Sequence, residues 1–69
     1  MTNTEMLRRI IKESGLKLEY IAAQLEISRF SLSKKIENET EFKASEIQKL
    51  CDVLRISSNE DKEAIFFAS

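Results

Sequence analysis

The strongest constraint on this chain lies in Leu18–Asn38, LEYIAAQLEISRFSLSKKIEN, where two short amphipathic patterns meet with only three residues between them. Ile21, Ala22 and Leu25 share one helical face at i, i+1 and i+4, which predicts a helix from Leu18 to about Leu25. Leu32 and Ile36, spaced i and i+4, predict a second helix from Arg29 to about Glu37, its apolar side turned back on the first. Glu26-Ile27-Ser28 is left to make the turn. Ser28 suits the N-cap of the second helix, because its hydroxyl takes one of the orphan N–H groups of the first turn. Ala22 is small where two helices must cross closely.

The flanking segments read as further helices around this pair. Met6, Leu7, Ile10 and Ile11 form a core-facing stripe in a helix predicted over Thr2–Ser14, capped by Thr2 or Asn3. Arg8, Arg9 and Lys12 fall on its solvated side. Gly15 follows where a helix stop needs a left-handed residue, and Leu16 supplies the hydrophobic contact that closes the stop. Asn38 is the next stop signal, since Asn tolerates the left-handed conformation. Phe42, in a polar loop, is expected to plug the edge of the core. A fourth helix starts near Lys43–Ser45, with Ser45 and Gln48 as a candidate capping box. Ile47, Leu50, Cys51 and Leu54 recur at i, i+3, i+4 and i+7 along it, which makes Cys51 a buried small hydrophobe. A last helix runs from Ser58 to about Phe67, with Ser57 and Glu60 as its capping box. It ends in Ile65-Phe66-Phe67, and three consecutive large apolar residues cannot all face one core at helical spacing. At least one is expected outside, as a surface for self-association, unless the final turn unwinds over the core.

Composition narrows the function. Sixty-nine residues make one domain, spanning 1–69, and a third of them are charged, with one Gly and no Pro. That mix favours several helices with short connections, an all-α fold. A single Cys excludes an internal disulfide and a cysteine zinc cluster, and the chain has no His. With no Gly-rich phosphate loop and no nucleophile–base pair either, an enzyme is not expected, nor a metal, cofactor or small-molecule ligand. The polar start MTNTEMLRR lacks a signal-peptide core, and no apolar run approaches the roughly 20 residues needed to span a bilayer. A cytoplasmic protein is expected.

The net charge of −1 argues at first against a polyanionic partner. Its distribution reverses that argument. Residues 1–36 hold seven Lys/Arg against four Glu, a net +3, while residues 37–69 hold four basic against eight acidic residues, a net −4. Screening acts over about 10 Å at 0.1 M salt, so a basic face can bind phosphate although the far side is acidic. Between Glu26 and Glu37 there is no acidic residue. A short cationic, polar helix held at a steep angle to its neighbour suits insertion into a DNA major groove.

The residues that carry these readings are Gly15-Leu16, Ile21-Ala22, Leu25, Ile27-Ser28-Arg29, Ser31-Leu32-Ser33-Lys34, and then Ile47, Leu50, Leu54 and Ile56. Together they resemble the Cro/repressor-type (Xre) helix-turn-helix family over residues 5–57, and more loosely in the last helix. Phe42-x-x-x-Glu46-Ile47 with a terminal Phe-Phe is similar to short single-domain members from Gram-positive prophages. The resemblance implies a five-helix domain of the lambda-repressor-like/Cro type, with the third helix in the major groove and two copies on two half-sites. Three positions depart from the family pattern. Glu26 stands where the turn usually has Gly, Leu18 where many relatives have a phosphate-binding Gln, and Asn38 where Gly often ends the third helix.

On this reading the chain is a sequence-specific transcriptional regulator that binds duplex DNA as a homodimer, assembled either beforehand or only on the DNA, and occludes a promoter. Arg29 is the expected bidentate reader of guanine O6 and N7. Phe30 either touches a thymine methyl or packs inward, and Ser31, Ser33 and Lys34 are the other candidates for base edges. Lys17, Ser28, Lys35, Asn38 and Lys43 are the candidates for phosphate contacts. Ile65, Phe66 and Phe67 are the expected dimer interface. The rival reading is a protein-interaction module that binds through the same Ile65–Phe67 surface and never reads DNA.

Overall fold

The computed structural model describes residues 1–68 and contains five helices: α1 (Thr4–Ser14), α2 (Leu18–Gln24), α3 (Arg29–Ile36), α4 (Ala44–Leu54) and α5 (Asn59–Phe66). No strand occurs among the described residues. α2 packs on α3 and α4, and α1 lies across α3, α4 and α5. The core between them is formed by Leu7, Ile11, Ile21, Ala22, Leu25, Leu32, Ile36, Leu50, Cys51, Leu54, Ile56, Ile65 and Phe66. Burying each of the larger of these contributes about 1.5–3 kcal/mol. The Cys51 thiol is buried, and desolvation pushes its pKa up, which leaves it an unreactive packing group.

Local chemistry explains where the helices start and stop. α1 begins two residues later than the apolar pattern predicts, because Asn3 caps it by accepting the Met6 N–H at 3.1 Å. Gly15 ends it at φ 73°, and a Cβ there would meet nothing within 4 Å, so the backbone angle alone calls for glycine. The expected box between Ser45 and Gln48 does not form. α4 starts at Ala44, Ser45 is already inside it, and Glu46 reaches back to accept the Lys43 N–H at 2.8 Å. α5 is capped by Ser58, which accepts from the Asp61 N–H at 3.3 Å, one residue beyond the predicted Ser57–Glu60 box. Arg55 closes α4 in the left-handed region at φ 58°.

Two polar devices join segments distant in sequence. Lys35 of α3 and Glu46 of α4 form an ion pair at 2.7 Å, with side chains only 10% and 8% exposed. Lys35 Nζ also donates to the Glu41 carbonyl at 3.1 Å, and no buried side-chain N or O atom among the described residues is left without a partner. Asn38, at φ 66°, turns its amide onto Thr2: its Oδ1 accepts the Thr2 N–H at 2.8 Å, and its Nδ2 donates to the Thr2 carbonyl. Asn3 N–H then bonds the Ile65 carbonyl at 2.6 Å, and Ala68 N–H the Met1 carbonyl at 3.0 Å. The start of the chain is thereby clasped between the end of α3 and the end of α5.

Candidate nucleic-acid interface

The candidate face is built around the first turn of α3. Ser28 caps that helix as expected, its Oγ accepting the Ser31 N–H at 3.0 Å, which leaves its own hydroxyl proton able to donate outward. The turn before it passes through Glu26 at φ 59°, the left-handed conformation that glycine adopts most cheaply. Ile27 N–H bonds the Ala22 carbonyl at 3.0 Å and returns the chain across the end of α2. The turn at Glu26 is therefore left-handed and carries a side chain there at some cost in strain.

Successive residues of an α-helix are rotated by about 100°. In α3 the buried arc consists of Leu32, Lys35 and Ile36. Phe30 and Lys34, one turn apart, lie farthest from that arc, with Arg29 and Ser33 on one flank and Ser31 on the other. Phe30 is 71% exposed, so packing inward is ruled out for it. Lys34 Nζ sits 5.2 Å from the centre of the Phe30 ring, a cation–π distance. Arg29 is exposed at the edge facing α2, with its Nε 3.8 Å from a Glu19 carboxylate oxygen. Ser31 and Ser33 are half-buried beside them. All five residues named for base contact thus share the outward side of one helix.

The five residues named for phosphate contact do not stay together. Lys17, Ser28 and Lys43 are exposed, each just ahead of a helix, at the N-caps of α2, α3 and α4. Lys35 must be withdrawn. Its ammonium is buried against Glu46, and a phosphate could reach it only by breaking that pair. Asn38 is withdrawn as well, since its amide oxygen and nitrogen are both committed to the Thr2 backbone. The expected dimer interface shrinks in the same way. Ile65 is fully buried, and Phe66 is 4% exposed and packed edge-on against Phe42 with ring centres 5.6 Å apart. Both are core residues, so only Phe67, 64% exposed, remains outside. It borders a shallow groove shared with Met1, Phe42, Ile47 and Phe66.

Sequence reasoning missed the Lys35–Glu46 pair and the Phe30–Lys34 stack. The stack had a signal, an aromatic and a cation at i and i+4 on one helix face. Lys35 had a weaker one, its place beside Leu32 and Ile36 on the buried side of the helix.

No helix among the described residues is long and apolar enough to cross a membrane. A comparison with curated proteins finds no match, and one with solved structures finds none either. A family model described as the Cro/C1-type HTH DNA-binding domain matches residues 6–60, which takes in α1 from Met6, all of α2 to α4, and the first two residues of α5. With five helices in this arrangement and a capped third helix whose outward face carries only polar, cationic and aromatic side chains, the chain belongs to the Cro/C1-type helix-turn-helix family of DNA-binding domains.

Proposed function

We propose that the protein is a sequence-specific repressor-type regulator that lays α3 in the major groove and acts as a homodimer on a pseudo-palindromic operator. The observation that carries this reading is the outward face of α3: Arg29, Phe30, Ser31, Ser33 and Lys34 together, with no carboxylate on the helix itself. Arg29 has the donor geometry for guanine, the two serines donate or accept at base edges, and Lys34 supplies a mobile positive charge. Lys17, Ser28 and Lys43, exposed at the N-caps of α2, α3 and α4, serve as phosphate ligands, which fix register without reading sequence. Phe67, with Met1 at the rim of its groove, is the apolar surface left for a second copy. Two α3 helices about 34 Å apart would then read one face of the duplex.

Selection of bound duplexes from a random pool, followed by gel shifts at low and moderate salt, tests this reading. An enriched two-fold-related site, bound with a steep loss of affinity as salt rises, is the expected result. No shift at either salt would overturn it and leave the Phe67 surface as a site for another protein. Sedimentation of the wild type and of Phe67→Ser, with and without the selected site, tests the dimer: the variant should bind as a monomer.

A further inference from the structure

Phe30 is the residue the fold explains least. It lies on the opposite side of α3 from the core and is 71% exposed, although Phe42 and Phe66 pack against each other inside the same small domain. A single exposed ring is ordinary on a protein surface, but this one stands at the centre of the outward face of α3, among the residues placed to meet DNA. The ring is also fixed from one side. Lys34 holds its ammonium 5.2 Å from the ring centre, so one ring face is occupied by a cation while the edge stays open. An apolar surface set among Arg29, Ser33 and Lys34 needs an apolar partner inside an otherwise polar, anionic setting. In duplex DNA the major groove offers one such group, the C5-methyl of thymine.

We infer that Phe30 and Lys34 act as one unit that reads a thymine C5-methyl in each half-site. Phe30 supplies the apolar contact, and Lys34, turned over the ring, holds it in place and offers its charge to the neighbouring phosphate or base acceptor. This rests on α3 entering the major groove. It adds to that reading a chemical requirement: the partner base is recognised by a methyl group and not by a hydrogen bond. The centre of the reading face then belongs to Phe30 and Lys34, with Arg29 at its flank.

Deoxyuridine tests this directly, because it keeps every hydrogen-bonding atom of thymine and lacks only the methyl. Each thymine of the selected operator is replaced in turn by deoxyuridine, and affinities are compared for the wild type and Phe30→Ala. Burial of one methyl is worth about 0.8 kcal/mol, so the wild type should lose about fourfold at one position per half-site. Phe30→Ala should bind the thymine and deoxyuridine forms of that position equally, while circular dichroism shows it as helical as the wild type. Lys34→Gln should narrow the thymine preference. Tight binding to the operator with no loss at any deoxyuridine position overturns the inference and leaves the DNA-reading function intact. A preference that persists in Phe30→Ala overturns it too, by assigning the methyl to another residue. Failure to bind any duplex removes the function reading, and this one with it.

Discussion

Replacing Lys35 by Met should be far more damaging than replacing any of the exposed lysines. Met keeps most of the side-chain stem and removes the charge. Glu46 would then remain buried with only the Lys43 N–H, at 2.8 Å, and the exposed Lys43 ammonium to stabilise its charge. Breaking a buried ion pair by removing one partner costs about 3–5 kcal/mol. A domain of this length has roughly 3–10 kcal/mol in total, at about 0.05–0.15 kcal/mol per residue. Lys35→Met should therefore lose much of its cooperative urea transition, followed by circular dichroism at 222 nm, and Lys12→Ala should lose almost none. Adding Glu46→Leu should restore a large part, because it removes the orphaned carboxylate.

The pH dependence supplies a second, independent readout. Burial by itself raises the Glu46 pKa, but the hydrogen bond from Lys35, the Lys43 N–H and the two ammonium charges outweigh it and hold the carboxyl below its ordinary value of 4.5. A carboxylate lowered on folding contributes stability above its unfolded pKa and loses it as pH falls through the folded one. In Lys35→Met burial faces less opposition, the Glu46 pKa should rise, and protonation should then favour the folded state. The stability gap between wild type and variant should accordingly shrink between pH 7 and 3. A loss under about 0.5 kcal/mol, the range of an exposed pair, would refute the buried-pair argument. So would a gap that does not change with pH.

The left-handed turns give sharper, smaller effects. Glu26→Gly removes a left-handed penalty of about 1–2 kcal/mol and adds about 0.5–1 kcal/mol of unfolded-chain entropy, so it should raise the thermal midpoint by a few degrees. A lowered midpoint would mean that the Glu26 side chain has a use of its own. Asn38→Gly keeps the backbone angle and loses the clasp on Thr2, at about 1–2 kcal/mol, whereas Asn38→Ala loses both and should cost about 1 kcal/mol more. If Asn38→Gly instead weakened DNA binding at unchanged stability, its original assignment to a phosphate would stand. Arg29→Ala should relax the preference at one guanine per half-site by about 1–3 kcal/mol in competition gel shifts, and unchanged preference would take the guanine away from Arg29.

Helix positions were legible because they depend on short-range patterns. Leu32 with Ile36, Ser28 before Arg29 and Gly15 after Ser14 each act within about one turn, and each is found where the pattern put it. The residues misread are those whose role depends on which helix end meets which. Asn38 was recognised as a left-handed stop, yet its amide partner, Thr2, is 36 residues away. Lys35 stands on the buried side of α3 beside Leu32 and Ile36, but its partner, Glu46, is supplied by α4 and is 11 residues away. Phe66 and Phe67 were indistinguishable as neighbours, and the position of Phe42 decided which of them is core.

These long-range contacts also change how the protein can hold DNA. Of the seven basic residues in the first 36, Lys35 is neutralised by Glu46, Arg8 is paired with Glu37, and Arg29 has Glu19 nearby. The cations left around α3 are Lys17, Lys34, Lys43 and, once it leaves Glu19, Arg29. With Arg29 committed to guanine, the other three make three phosphate contacts per protomer and six per dimer, a slope of log affinity against log salt of about −5.4, and losing one per protomer would flatten it by about 1.8. Lys43→Ala should flatten it by that amount and lower affinity evenly across sequences, whereas Phe30→Ala should leave the slope unchanged and lower affinity only on sites with the methyl. A wild-type slope much steeper than six contacts per dimer allow would call for a further cation, and beside α3 that cation is Lys35 leaving Glu46 on binding. In that case the Lys35–Glu46 pair would be opened by DNA, and Lys35→Met would flatten the slope as well as destabilise the fold.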